Sequence, residues 1–303
     1  MTDEITNPIE DIGYHSFYLE SFFNEKRLTN ATCFCYKKNE EYYLVTNYHI
    51  LSGREPNPDM NGLYQPIDKT NGAIPNKIRV WIYGWEYPLE NGLVRTGMGY
   101  FFDIPILNQH EEPLYKFKQF HDNGFYDVAI LPLKNIDFLS PQPDSFSFGK
   151  NRPVPANRSL GGLAYSYNLR PTDDVFILGY PFGQLKPHSY LPIWKRGSVA
   201  TSLKYSPYFL VDTATRSGMS GSPVYAISSN EINQLLIAKQ VIPNEKPYKA
   251  KFIGIYSGRI VSPEERTSDG FFKVAGHDID THAQLGKVWK KEIIEKIIDD
   301  ILL

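Results

Sequence analysis

Three short stretches of this 303-residue sequence hold side chains in settings that suit nucleophilic attack and proton transfer. Ser220 stands in Arg216-Ser217-Gly218-Met219-Ser220-Gly221-Ser222-Pro223-Val224. Glycines on both sides let the backbone turn sharply and come close to a substrate. Such a turn can aim the amides of Gly218 and Ser220 at one point, as stabilising an oxyanion requires. Pro223-Val224 then opens a strand and fixes the exit of the loop. His49 ends the run Leu44-Val45-Thr46-Asn47-Tyr48-His49, where an apolar strand gives way to a turn and holds the imidazole at a rigid edge. The six other histidines lack this context. Asp127 follows Phe125-Tyr126 and precedes Val128-Ala129-Ile130-Leu131. A carboxylate directly ahead of a buried strand is half-buried, and it can accept from an imidazole and fix its tautomer. Asp122 competes poorly, because no apolar strand follows it. Taken singly, these residues also read as a Gly/Ser turn, a strand-end histidine and a strand-start aspartate. Together they supply what amide hydrolysis needs: nucleophile, base, orienter and oxyanion donors.

Strands must position these residues. Tyr (21) and Phe (18) favour strands, and Gly and Pro (22 each) punctuate turns. Residues 14–26 read as a short helix or an arm. Thr32 to Tyr36 and Tyr42 to Thr46 read as a hairpin joined by Lys37-Lys38-Asn39-Glu40-Glu41. Gly53 to Lys77 is a long loop. Ile78 to Trp85, Leu93 to Phe102, Leu114 to Phe120 and Val128 to Leu133 are further strands, with turn signals at Asn91-Gly92 and Asn123-Gly124. From Ser140 to Pro155 the composition shifts to Pro, Ser, Gly and Asn, which places a boundary between a domain over 1–139 and one over 140–283. The second has short apolar runs at Asp174–Tyr180, Trp194–Thr201, Tyr208–Asp212, Ser222–Ile227, Gln234–Val241 and Phe252–Tyr256. Two groups of about six short strands suggest two β-barrels or sandwiches. Residues 284–303 place Val288, Ile293, Ile294, Ile297, Ile298 and Ile301 at near-helical spacing, so an amphipathic helix is expected there. It can pack on the last barrel or serve a partner.

Composition excludes several classes. Hydrophobic residues at 42% and a net charge of −2 give a chain that buries a core and has no basic surplus for nucleic acid. No run of 18 apolar residues predicts a membrane span. The acidic start Met1-Thr2-Asp3-Glu4-Ile5 lacks the features of a signal peptide. The two cysteines, Cys33 and Cys35, point to one side of an extended segment and make poor mates. A cytoplasmic, reducing location is therefore expected. His277-Asp278-Ile279-Asp280-Thr281-His282 looks metal-like but lacks the spacing of a zinc or calcium loop, so no metal and no cofactor are expected.

Thr46-Asn47-Tyr48-His49, Asp127-Val128-Ala129-Ile130-Leu131 and Gly218-Met219-Ser220-Gly221-Ser222-Pro223 resemble, in order and spacing, the histidine, aspartate and serine boxes of the trypsin-like serine peptidases. The resemblance covers roughly residues 28 to 262 and is strongest to disulfide-free bacterial members. It implies an all-β, chymotrypsin-like fold of two six-stranded antiparallel β-barrels with a C-terminal α-helix. It also implies a serine endopeptidase with His49 as base and then acid, Asp127 as orienter, Ser220 as nucleophile, and the amides of Gly218 and Ser220 as oxyanion hole. Ala214 falls six before the serine, where trypsin proper has Asp, so cleavage after Lys or Arg is not supported. Tyr256-Ser257-Gly258 stands where the family's substrate-pairing strand has Ser-Trp-Gly, in an ambiguous register. Ala214, Tyr256, Ser257 and Gly258 are thus the expected substrate-binding residues. Arg259 can meet an acidic group. Met219 replaces the Asp used in zymogen activation, so activity should not depend on that pair. An α/β-hydrolase esterase is a poor rival, since its elbow needs Gly at 222 and its triad runs in another order. A protease-fold module that binds peptides without cutting them is the alternative. The expected partners are a protein or peptide substrate and, by the family's use in bacterial stress and defence systems, a neighbouring effector cleaved for activation.

Overall fold

The computed structural model describes residues 12–13, 15–57, 62–82, 86–88, 94–96, 100–121, 124–134, 169–181, 191–227, 250–260, 272–274, 277–279 and 284–302. The first half is a six-stranded antiparallel sheet. Its strands are β1 (Ser16–Phe23), β2 (Lys26–Lys38), β3 (Glu41–Thr46), β4 (Lys77–Ile82), β7 (Tyr100–Pro105) and β10 (Ala129–Pro132). They lie in the order β10-β3-β2-β1-β4-β7. Short hairpins β5 (Glu86–Pro88) with β6 (Val94–Thr96), and β8 (Gln119–His121) with β9 (Gly124–Phe125), flank it. The sheet curls, but it does not close among the described residues.

The second half does close. Strands β11 (Asp174–Gly179), β12 (Ile193–Val199), β13 (Tyr208–Asp212), β14 (Pro223–Ile227), β15 (Ala250–Arg259) and β18 (Leu285–Lys290) form a barrel in the order β11-β12-β13-β18-β15-β14. A hairpin of β16 (Phe272–Val274) and β17 (His277–Ile279) lies apart from it. Among the described residues no helix is long and apolar enough to cross a membrane.

Three expectations change. Residues 14–26 form neither helix nor arm: Ser16–Phe23 is a full strand paired on both edges, to β2 and to β4. Burial on both faces hides the alternation that would have marked it. The C-terminal helix begins at Lys291, not at Gln284. Leu285–Lys290 is instead the barrel's sixth strand, and Val288 lies in the barrel core. Its apolar positions suit either period, and pairing with two strands outweighs a weak helical signal. Leu114–Phe120 is mostly irregular, bridging β10 through Lys116 and Ile130. The boundary at 139/140 and the strand expected over 234–241 lie outside the described residues, as do 280–283 of the metal-like stretch.

Helix α2 (Lys291–Leu302) ties the halves together. Ile293, Ile294, Ile297 and Ile298 share one core with Phe34, Val45, Val128 and Ile130 of the sheet and with Tyr225, Phe252 and Trp289 of the barrel. Tyr36 donates to Glu295 at 2.9 Å, and Lys38 pairs with Asp299 at 2.5 Å. Each buried isoleucine removes enough apolar surface to stabilise by about 2 kcal/mol, so the helix holds a seam between the halves rather than capping the barrel alone. Cys33 and Cys35 are both free and buried in the sheet's own core.

Candidate active site

The short helix α1 (Tyr48–Ser52) follows β3 directly and carries His49. A turn was expected there; Gly53, in the left-handed region, ends the helix by donating its amide to the carbonyl of His49. Tyr48, Ile50 and Leu51 are buried, which leaves His49 facing outward. Its Nδ1 lies 2.9 and 2.8 Å from Oδ1 and Oδ2 of Asp127, and its backbone amide donates to Oδ1 at 3.0 Å. Asn47 donates to the Asp127 carbonyl at 2.7 Å. The Ser257 hydroxyl donates to Oδ2 from the barrel side. The Asp127 carboxylate therefore takes three donors from two halves of the molecule. The side chains are 16% (His49) and 4% (Asp127) exposed.

Burial alone would lower the His49 pKa. The charge and hydrogen bond of Asp127, with a smaller contribution from Glu55, outweigh it and raise the pKa above the ordinary 6.5. Burial likewise pushes Asp127 up, but His49, the Ser257 hydroxyl and the His49 amide bring it below its ordinary 3.8. At neutral pH the carboxylate is ionised. It accepts the Nδ1–H, so that whenever His49 is neutral its Nε2 lone pair faces outward.

Ser220 sits on a loop strapped across the seam. Thr32 of β2 accounts for most of the strapping. Its amide donates to the Ser220 carbonyl at 2.8 Å, and its hydroxyl donates to the Gly218 carbonyl at 2.8 Å while accepting from the Tyr180 amide at 3.1 Å. The Thr32 carbonyl accepts from the Thr46 hydroxyl. Gly221 has φ +85°, and a Cβ there would lie 2.0 Å from the Thr32 carbonyl oxygen, so no other residue fits. Gly218 has φ +96°, which lets the loop reverse just before Ser220. Among the described residues neither the Gly218 nor the Ser220 amide donates to another backbone group. The Ser220 hydroxyl donates to the Ser257 carbonyl at 3.1 Å. It makes no hydrogen bond to His49, although both line one groove.

That groove holds about 480 Å³. One wall comes from Ser217, Gly218, Ser220, Ser257, Gly258 and Arg259, and the other from His49, Glu55, Pro56 and Asn57. A second cavity, of about 420 Å³, continues it past His49 along Leu28, Thr29, Ile50 and Ile67. Of the four expected substrate-binding residues, Ser257 and Gly258 line the groove. Ala214 and Tyr256 do not. The Tyr256 ring is 1% exposed, shares a hydrogen bond with the Thr215 hydroxyl, and presses on Gly286, where a Cβ would lie 2.4 Å from the ring. It fills the space behind the nucleophile loop. The Ser257 hydroxyl faces Asp127. Strand pairing explains the open wall: β14 follows β15 only as far as Ile255, so residues 257–259 keep β18 on one edge and no strand on the other among the described residues.

Sequence reasoning missed Thr32, Asn47 and Lys287, the last of which also lines the groove. The first two act through backbone partners far off in the chain, and no local pattern marks such a role. Lys287 lies in the segment taken for helix.

The family model of the trypsin-like peptidase domain matches residues 31–232, two thirds of the chain. No curated protein sequence matches. Among solved structures, the chain is similar to the Rv3671c protease of M. tuberculosis in an inactive form, at 13% identity and a TM-score of 0.42, covering 98% of this chain and 94% of that one. It is also similar to the serine endoprotease from Yersinia pestis, at 11% identity and a TM-score of 0.45, covering 99% and 67%. By the family match, this chain belongs to the trypsin-like peptidases.

Proposed function

We propose that the chain is a serine endopeptidase with His49, Asp127 and Ser220 as its catalytic residues. The observation that carries this is the His49 imidazole, held through Nδ1 on a buried carboxylate, facing the same groove as a serine on a glycine-flanked loop. The Ser220 hydroxyl turns from the Ser257 carbonyl to Nε2 of His49. Breaking one hydrogen bond costs about 1 kcal/mol and side-chain rotation takes nanoseconds, both small beside a peptide-hydrolysis barrier. Ser220 Oγ then attacks the scissile carbonyl as its proton passes to Nε2. The oxyanion meets the amides of Gly218 and Ser220. The tetrahedral centre collapses, the amine leaves with the proton from His49, and an acyl-Ser220 ester remains. Water, deprotonated by His49, reverses the sequence and frees the acid.

Two features favour cutting within a chain. The edge at Ser257 and Gly258, which no described strand covers, suits an extended peptide added as a strand. The groove also continues on both sides of His49, so a substrate can run through it. A cytoplasmic setting and cleavage of a neighbouring effector belong to the same proposal. The free, buried cysteines support a reducing compartment. An enzyme of this kind forms a covalent adduct with a fluorophosphonate probe at Ser220 and cleaves a protein substrate, and Ser220→Ala loses both. A folded chain that binds peptides but never labels is the non-cutting module instead. Co-expression with adjacent gene products tests the effector: fragments that persist with Ser220→Ala count against it, and fractionation tests location.

A further inference from the structure

The groove contains a cation that no carboxylate of the described residues meets in an ion pair. Lys287 lies on β18 opposite Gly258, which has no side chain to cover it. Its ammonium is 4.6 Å from the centre of the Tyr208 ring and 5.0 Å from that of Trp289, so aromatic faces hold it in place of part of its water. Among the described residues no carboxylate pairs with it. Asp127 lines the same groove but already takes three donors, from His49 and Ser257. Glu55, on the opposite wall, is exposed and solvated. Arg259, beside Gly258 on β15, adds a second cation to the same wall. Burial lowers the Lys287 pKa from 10.5, with Asp127 opposing, as expected of a half-desolvated charge lacking a close partner.

A peptide added antiparallel to residues 257–259 runs toward Ser220 as those residues run away from it. The positions beside Gly258 and Lys287 therefore lie N-terminal to the scissile bond, within roughly two to four residues at strand spacing. We propose that Lys287, with Arg259 beside it, is a cationic subsite that binds an acidic side chain of the substrate on the N-terminal side of the cleaved bond. This rests on reading the groove as a peptide site. It makes the substrates a defined class: extended segments with Asp or Glu just upstream of the cut.

The test compares peptide pairs that differ only by Glu or Gln at each of these upstream positions. At one position the wild-type chain prefers Glu about tenfold in kcat/KM, equivalent to about 1.4 kcal/mol. Raising the salt concentration shrinks the preference. The Glu/Gln ratio, taken within each variant, falls to about one in Lys287→Met, recovers in Lys287→Arg and inverts in Lys287→Glu. The same pairs are titrated onto Ser220→Ala, with and without Lys287→Met, so that binding is read without cleavage. A labelled, cleaving enzyme whose Glu/Gln ratio is one at every upstream position, or unmoved in folded Lys287→Met, overturns the subsite. A chain that never labels overturns the peptidase reading alone, and the binding ratio still judges Lys287.

Discussion

The two halves of the site are finished to different degrees. On the Asp127 side the carboxylate is satisfied: three donors meet it, and the imidazole is pinned at Nδ1. On the Ser220 side the backbone is strapped by Thr32, but the hydroxyl rests on the Ser257 carbonyl and not on the base. Buried, mutually satisfied charge must be built in advance, because reorganising it during a reaction is costly in a low-dielectric setting. A half-exposed hydroxyl rotates freely, so its direction need not be fixed. The orienting half should therefore carry both stability and activity, and the nucleophile's side chain should carry activity alone.

The largest effect separates those two roles. Ser220→Ala should lower kcat by roughly 10⁶-fold while changing unfolding free energy by less than about 0.5 kcal/mol, read from peptide hydrolysis and urea titration. Asp127→Asn should cost roughly 10⁴-fold in kcat and also about 3 kcal/mol of stability, because a buried network loses its charged member. Equal stability loss in both variants would erase the contrast.

Backbone strapping predicts intermediate effects. Gly221→Ala brings a Cβ into the Thr32 carbonyl at a left-handed position, and about 3 kcal/mol of destabilisation should follow in denaturant melts. Thr32→Val keeps the shape but leaves the Tyr180 amide without its hydroxyl acceptor. About 2 kcal/mol of stability and about tenfold in kcat should be lost.

Much of this was legible in the sequence because local chemistry had to announce it. Glycines around Ser220, an apolar strand after Asp127 and an apolar run before His49 are requirements of turn and burial, and they show in the residues themselves. Five of the second barrel's six strands were readable for the same reason, since they are short apolar runs between turns. What stayed hidden depends on partners far off in the chain. Thr32 looks like any strand threonine until the Gly218 carbonyl lies above it. Ser16–Phe23 buries both faces and loses its alternation, and Leu285–Lys290 becomes a strand only because β13 and β15 leave a gap between them. Tyr256 was expected to touch substrate, yet its ring turns inward toward Thr215 and Gly286.

A smaller effect sharpens the contrast. Ser257→Ala removes one donor of three from Asp127, and about threefold to tenfold in kcat should go with it, together with about 1 kcal/mol of stability. The pair's contribution to stability also has a definite window. His49, raised above 6.5, stabilises the fold fully below that pH and loses its contribution as pH climbs through the folded value; Asp127, lowered below 3.8, contributes above that pH and loses its share as pH falls through the folded value. Both act together between about pH 3.8 and 6.5, so Asp127→Asn should be most costly to stability there.

The most direct measurement is the rate of fluorophosphonate labelling at Ser220 as a function of pH. Attack needs neutral His49, so the rate should rise with pH through a single midpoint above 6.5, and that midpoint should move down in Asp127→Asn, which also labels far more slowly. Labelling with no such midpoint, or a midpoint that ignores the loss of the carboxylate, would mean that His49 does not activate Ser220.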